Sequence, residues 1–342
     1  MIEQIYTWYN GLTDGLWGSL LLFAVGVLLL IKGGDWFVDS AVGVAKRFRV
    51  PEIIIGATVV SIGTTLPEVM VSVTAAVNNN AAVAYGNAIG SIICNTALIA
   101  ALTIAIRPAP VNRKAVVTPV IFFFVSAAIY VVAAYVFGRF DRWLGIVMLL
   151  VFAVYMTLTI RNGFKNPVEQ TADEDPSDNG GSLLKNLIVL AVSAGLIAVG
   201  ADMLEGSSVS LATMVGIPTE VVGVTVVALC TSLPELVTAV TALLKGHGAL
   251  SLGNIIGANI FNLVLVSGAA VTISPFAIPE GSKLFGLNTS QLIEIPLMIL
   301  VMALMTLPPL RKGKLGRWQG ITLLGIYIAF VILQVLIATG TL

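Results

Sequence analysis

Residues 50–76 and 217–243 are two versions of one sequence. Set against each other without a gap, 12 of their 27 positions are identical, Pro51/Pro218, Gly56/Gly223, Thr58/Thr225, Thr64/Thr231, Pro67/Pro234 and Glu68/Glu235 among them. The same offset of 167 aligns 84–99 with 251–266, where 7 of 16 positions match, including Gly86/Gly253, Asn87/Asn254, Gly90/Gly257 and Asn95/Asn262. Chance does not hold one register across two separate stretches. The chain is a duplicated unit, and its fold has to place the two copies equivalently. The offset of 167 is expected to run through the halves without gaps.

Both copies lie in apolar runs. Hydrophobic residues make up 57% of the 342, charged residues 11%, and mean hydropathy is +0.99. That composition excludes a soluble globular domain and defines a polytopic membrane protein. A bilayer is crossed by about 20 apolar helical residues. Segments of that kind fall at 18–42, 50–77, 83–106, 115–137, 143–161, 184–204, 217–244, 250–273, 291–310 and 318–339. The fold class is all-α, with ten transmembrane helices. Five spans per half is an odd number, so the second half enters the membrane from the opposite side and the two five-helix repeats are inverted. Residues 1–161 form the first repeat and 184–342 the second. Between them, 162–183 contains NPVEQTADEDPSDNGG, which is acidic and aperiodic and reads as a flexible linker. Ile5, Tyr6, Trp8 and Tyr9 place residues 1–16 at the interface. No basic region precedes the first apolar run, so it reads as a retained span rather than a signal peptide.

Orientation follows from Lys and Arg. The gaps after spans 1, 3, 5, 7 and 9 share one side and hold Lys46, Arg47, Arg49, Arg107, Arg113, Lys114, Arg161, Lys165, Lys185, Lys245, Arg311, Lys312, Lys314 and Arg317. The other side holds Arg139, Arg142 and Lys283. The expected location is the plasma (inner) membrane, with both termini outside and the acidic linker cytoplasmic. Net charge is zero and says nothing about partners.

Each repeat carries Leu-Pro-Glu inside a span, in GATVVSIGTTLPE (56–68) and GVTVVALCTSLPE (223–235). A carboxylate at bilayer depth is costly and marks a functional site by default. Pro67 and Pro234 each remove a backbone donor, which is expected to break the helix and free carbonyl oxygens. Thr64, Thr65 and Glu68 fall within one turn and share a face, with Ser61 a turn earlier. Thr231, Ser232 and Glu235 form the facing wall, with Ala228 opposite Ser61. Every donor is oxygen, the set that hard cations such as Ca²⁺ take, and two Glu balance one Ca²⁺. Zinc would want Cys or His. The single His, His247, lies in a polar gap, and Cys94 and Cys230 read as small buried hydrophobes. Asn95 and Asn262 lie deep in spans 3 and 8, where a buried amide needs a partner, either another helix or an ion. Ser91 adds a hydroxyl, and its counterpart is Ala258. The paired glycines make small-xxx-small faces for close helix approach. Of the other membrane charges, Lys32 and Asp35 are spaced to pair, Asp35 and Asp202 are expected near helix ends, and Glu294 at the interface.

No nucleophile elbow, phosphate-binding glycine loop or zincin motif is present, so the chain reads as neither an enzyme nor a cofactor carrier. Energy for any pumping has to come from another ion's gradient. Two inverted five-span halves, each with (G/C)-T-(T/S)-L-P-E followed by G-N-x-I-G-(S/A)-x-I, resemble the calcium/cation antiporter superfamily, most nearly its prokaryotic sodium/calcium exchangers. The resemblance implies a central core of spans 2, 3, 7 and 8, across which spans 1 and 6 slide to alternate access. It implies Ca²⁺ ligands at Glu68, Glu235 and the carbonyls of Thr64 and Thr231. It implies Na⁺ ligands at Ser61, Ala228 (through its backbone oxygen), Thr65, Ser232, Glu68, Glu235, Ser91 and Asn95. The chain departs from the pattern at Asn262, often Asp in these exchangers, and at Ala258, often Ser.

These features point to a secondary active antiporter exchanging Ca²⁺ for Na⁺. Ca²⁺/H⁺ exchange is the alternative, since Glu68 and Glu235 can each take a proton. A sodium-coupled solute symporter would want cationic or aromatic residues in the core, and a scaffold has no use for buried acids. The expected partners are inorganic cations and the lipid bilayer, with no nucleic acid and no obligate protein.

Overall fold

The computed structural model describes residues 15–108, 110–165, 181–215, 232–278, 283–284 and 287–339. Its helices are α1 (Leu16–Phe48), α2 (Glu52–Val77), α3 (Ala81–Ile106), α4 (Arg113–Phe137), α5 (Arg142–Lys165), α6 (Leu183–Met214), α7 (Leu233–Leu244), α8 (Gly248–Ile273), α9 (Ser290–Lys312) and α10 (Arg317–Ala338). Every span expected from the sequence is met by a helix. Nine are long and apolar enough to cross a bilayer among the described residues, and α7 is the described end of the seventh span. Residues 1–14 and the linker segment 166–180 lie outside the described residues.

Helix starts follow local chemistry. Asn80, Asn112 and Ser182 cap α3, α4 and α6, each side chain accepting from a backbone N–H of the first turn, at Val83 (3.3 Å), Lys114 (3.1 Å) and Lys185 (3.5 Å). The first and sixth helices run further than their apolar stretches, to 33 and 32 residues, or about 50 Å. Asp35 and Asp202 therefore lie within their helices rather than near the ends. The cation that pairs with Asp35 is Lys245 at 3.5 Å, not Lys32; Lys245 also binds Asp39 at 2.7 Å and the Asp35 carbonyl at 3.1 Å.

The repeat is visible in matched contacts, each running from one half to the other. Arg142 at the start of α5 donates through Nε to the Thr272 carbonyl (2.9 Å) and through Nη2 to that of Ile273 (3.3 Å), capping the last turn of α8. Arg317 at the start of α10 does the same for α3, at Ala105 (2.9 Å) and Ile106 (3.3 Å). Gly138 and Gly313 end α4 and α9 in the left-handed conformation, φ 66° and 69°, where glycine carries no Cβ penalty. Each accepts at its carbonyl from across the pseudo-symmetry, Gly138 from Ile278 (3.2 Å) and Gly313 from Val111 (2.9 Å). Antiparallel pairing of β1 (Arg139–Phe140) with β2 (Phe276–Ala277) is echoed by a bridge between Pro110 and Lys314.

These pairs correct the register. Thr272/Ala105 and Ile278/Val111 keep the offset of 167, whereas Arg317/Arg142 and Gly313/Gly138 stand 175 apart. The offset changes in the connection between α8 and α9, which carries a hairpin of β3 (Lys283–Leu284) and β4 (Leu287–Asn288).

The core closes by backbone contact between α2 and α8. A Cβ on Gly253 would lie 2.2 Å from the Ile53 carbonyl oxygen, one on Gly56 2.4 Å from that of Leu250, and one on Gly257 2.3 Å from Ser61 Oγ. Lipid supplies no hydrophobic force between helices, so small residues that admit such approach carry the packing. The outer pair α1 and α6 crosses in the same way, each of Gly26 and Gly200 placing a Cβ position 2.9 Å from the other's carbonyl oxygen. Gly253→Ala is expected to cost about 1–3 kcal/mol through overpacking, seen as a lower melting temperature in detergent. Gly325→Ala on α10, where no described atom lies within 4 Å of the added Cβ, is expected to melt like the parent. Equal melting of both variants would rule out the close contact.

Candidate cation site

Glu68 reaches the centre of the molecule on a continuous helix. Pro67 lies inside an α-helical run from Ser61 to Val77, so the expected break at Leu-Pro-Glu does not occur in the first repeat. Pro67 withholds one N–H from the carbonyl four residues back, that of Gly63, but the neighbouring turns carry the helix on. The irregularity is a π-helical turn at Gly56–Val60, one turn before the hydroxyls. In the second repeat α7 starts at Leu233 with Pro234 in its first turn, where a missing N–H is harmless, and Glu235 follows it. Further π turns open at Asn95 in α3 (Asn95–Ala100) and Asn262 in α8 (Asn262–Val266). Such turns often mark functional sites.

Glu68 and Glu235 are fully buried, at 1% and 0% exposure, and so are Asn95, Asn262, Ser232 and Ser91. Thr65 Oγ1 on α2 lies 3.5 Å from Glu235 Oε1 on α7 and links the halves. Among the described residues, no hydrogen bond reaches either oxygen of Glu68, Oε2 of Glu235, the hydroxyls of Ser91 and Ser232, or the amide atoms of Asn95 and Asn262. A buried polar atom left unsatisfied costs about 1–3 kcal/mol, and a charged one more. Among the described residues no Lys, Arg or His pairs with either Glu. Two carboxylates set among neutral hydroxyl and amide oxygens, on four different helices, make the kind of oxygen-rich set that a hard cation takes.

Other expected ligands are placed differently. Thr64 donates its hydroxyl to Asn254 Oδ1 at 3.2 Å. Ser61 Oγ lies 2.8 Å from the Gly56 carbonyl, 3.0 Å from that of Asn254 and 3.3 Å from Asn254 Oδ1, so its hydroxyl stitches α2 to α8. Thr231 and Ala228 lie outside the described residues, as does Cys230. Cys94 is a buried free thiol beside Asn95, contacted by the Tyr327 hydroxyl at 3.8 Å. Among the described residues no group of three or more His, Cys, Asp or Glu gathers as a metal cluster, in keeping with a site built largely from neutral oxygen. Glu294 is half-buried and accepts from Gln334 at 3.3 Å, away from this centre.

Two residues that the sequence marked only as part of a glycine motif prove to organise the site. Asn87 donates through Nδ2 to the Glu68 carbonyl (3.0 Å) and to Ser72 Oγ (2.8 Å), holding the backbone that carries the carboxylate. Its counterpart Asn254 instead accepts the hydroxyls of Thr64 and Ser61. The recurring Gly-Asn pair was the available signal.

A buried site of two carboxylates, one from each of two inverted repeats, defines a membrane carrier of cations. The sodium/calcium exchanger protein family matches residues 18–161 and 185–336, and the chain belongs to that family. It is 31% identical to the sodium/calcium exchanger MaX1 of Methanosarcina acetivorans, over 92% of this chain and 97% of that protein. It is 32% identical to an uncharacterized membrane protein of Methanocaldococcus jannaschii, over 90% and 94% of the two chains. Among solved structures, the sodium-calcium exchanger NCX_Mj soaked with 10 mM Na⁺ and zero Ca²⁺ superposes with a TM-score of 0.75 at 30% identity, covering 92% of this chain and 98% of that one.

The unpartnered amides carry a stability signature. Replacing Asn95 and Asn262 together by Leu is expected to leave the cation-free protein as stable or more so, by about 1 kcal/mol or more, because unsatisfied polar groups give way to apolar ones of similar size. The rise in melting temperature produced by bound Na⁺ is expected to disappear. A rise equal to that of the parent would exclude both amides from the site.

Proposed function

We propose that this protein exchanges Ca²⁺ for Na⁺ across the membrane by alternating access, with the Lys- and Arg-rich helix ends cytoplasmic and both termini outside. The observation that carries the reading is the pair Glu68 and Glu235, fully buried, bridged across the halves by Thr65 and free of any described basic partner. Two carboxylates at low dielectric cannot remain charged and alone. One Ca²⁺ neutralises both, and in its absence monovalent cations do. The hydroxyls of Thr65, Ser232 and Ser91 favour Na⁺ for that role, since protons need no such ligands. The names of the relatives support the same pair of ions. Glu68, Glu235 and the carbonyls of Thr64 and Thr231 are proposed to hold Ca²⁺. Ser61, Thr65, Ser232, Ser91, Asn95 and Asn262 line the Na⁺ positions, together with the Ala228 backbone. Ser61 takes part through an oxygen whose single proton is shared between the carbonyls of Gly56 and Asn254. Spans 1 and 6 are proposed to slide across the core of spans 2, 3, 7 and 8, the repeats at 1–161 and 184–342 being joined by the linker at 162–183.

Each half supplies one charge, so Glu68→Gln and Glu235→Gln are expected to weaken Ca²⁺ binding by well over tenfold. Ca²⁺ affinity and flux in proteoliposomes measure this, and near-normal transport by either variant contradicts the two-carboxylate site. In the same vesicles an imposed Na⁺ gradient is expected to drive Ca²⁺ movement. Acidic pH is expected to slow it as protons compete for the carboxylates. Ca²⁺ movement driven by a pH gradient in Na⁺-free vesicles, with none under a Na⁺ gradient, would replace this reading with Ca²⁺/H⁺ exchange.

A further inference from the structure

Two buried polar side chains beside the site serve none of the roles above. Asn259 on α8 and Thr96 on α3 are both at 0% exposure. Asn259 Nδ2 donates to Thr96 Oγ1 at 2.7 Å and to Met302 Sδ on α9 at 3.2 Å, and the Thr96 hydroxyl lies 3.4 Å from the same sulfur. Both N–H groups of the amide are thus committed. Turned over, the amide would set its carbonyl oxygen against the sulfur, which has no proton to offer; as placed, its Oδ1 is buried with no hydrogen bond among the described residues.

The bridge touches the cation site at both ends. Thr96 follows Asn95, and the two residues open the π turn of α3. Asn259 lies three residues before Asn262, on the same side of α8, and Asn262 opens the π turn of that helix. Asn95 and Asn262 are the site amides with no protein partner, so no hydrogen bond of their own holds them. The short Thr96–Asn259 bond ties the π turn of α3 to the helical turn of α8 just before its own π turn. It has no mirror image: at the offset of 167, Ile92 stands in the place of Asn259 and Leu263 in that of Thr96. The two-fold is broken beside Ala258, where the second repeat also lacks the hydroxyl of Ser91.

We infer that Asn259 and Thr96 are positioning residues of the cation site, setting the separation of Asn95 and Asn262 and through it the preference for Na⁺ against Ca²⁺. Charge dominates the binding of Ca²⁺, and the two Glu supply it. A monovalent ion draws proportionally more of its binding from neutral oxygens, so loosening the two amides falls on Na⁺. The inference rests on the exchange reading above.

The test uses purified full-length protein in detergent and reads Ca²⁺ affinity in Na⁺-free buffer, then the Na⁺ concentration that displaces half the bound Ca²⁺. Thr96→Val keeps the shape and removes the acceptor. It is expected to raise the half-displacing Na⁺ concentration about tenfold, the worth of one hydrogen bond of about 1.4 kcal/mol, and to change Ca²⁺ affinity less than about twofold. Thr96→Ser, which keeps the hydroxyl, is expected to match the parent. Should Thr96→Val not yield folded protein, Asn259→Ser, which withdraws the same donor from a smaller side chain, is read in the same way. Equal loss of Na⁺ and Ca²⁺ affinity, or no change in either, overturns the positioning role. If Na⁺ displaces Ca²⁺ from the parent at no concentration, the exchange reading itself fails and this inference with it.

Discussion

The centre of this protein depends on α2 and α8 meeting backbone to backbone. With Gly56, Gly253 and Gly257 at the contact, carbonyl oxygens of one helix sit where side chains of the other would otherwise stand. That approach brings Asn254 within reach of Ser61 and Thr64 and leaves Glu68 facing the second repeat. A single methyl group in the seam separates the helices, and the donors that converge from four of them would no longer share one space. Packing at the seam and the placing of Glu68 thus share the same few glycines.

The oxygens that converge there are held in a costly state. Glu68 has no protein partner for either oxygen, and the amides of Asn95 and Asn262 have none at all. At bilayer depth such groups need a partner, and the transported ion is the one proposed above. A carrier gains from that cost. Under the exchange reading, carrying these groups across without an ion is costly, which favours movement of the loaded carrier and so exchange over leak. Beside them, Asn87 holds the Glu68 carbonyl through its Nδ2.

Much of this was legible in the residues. Ten apolar runs became ten helices because bilayer thickness leaves a chain few other options, and the matched Leu-Pro-Glu segments marked the carboxylates because acids are rare at that depth. Local bonding and tertiary packing, which composition does not carry, decided the rest. Proline at 67 was expected to break its helix and does not. Single-residue matching followed one offset and missed the change to 175, although Gly138, Arg142, Trp143, Gly145 and Ile146 recur at that offset as Gly313, Arg317, Trp318, Gly320 and Ile321, because the inserted residues between α8 and α9 shift the register after the part that was matched. Lys32 was paired with Asp35 by spacing, but a helix that runs on to Phe48 presents Asp35 to Lys245 instead. Asn87 and Asn254 were visible as a motif, yet nothing local distinguishes an asparagine that binds an ion from one that holds the backbone beside it.

The arginine caps bear on how such a chain is made. The carbonyls of Ala105 and Ile106 at the end of α3 are satisfied by Arg317, more than 200 residues later, and those of Thr272 and Ile273 by Arg142 from the first half. The glycines follow the same rule, with Gly145 against α8 and Gly320 against α3. Neither half can finish its own helix ends. A ribosome that has delivered the first five spans has delivered an incomplete object, whose third helix waits at the membrane surface until the last span arrives. The unit that duplicated to give this protein would have had to find the same closure in a second copy of itself, facing the other way.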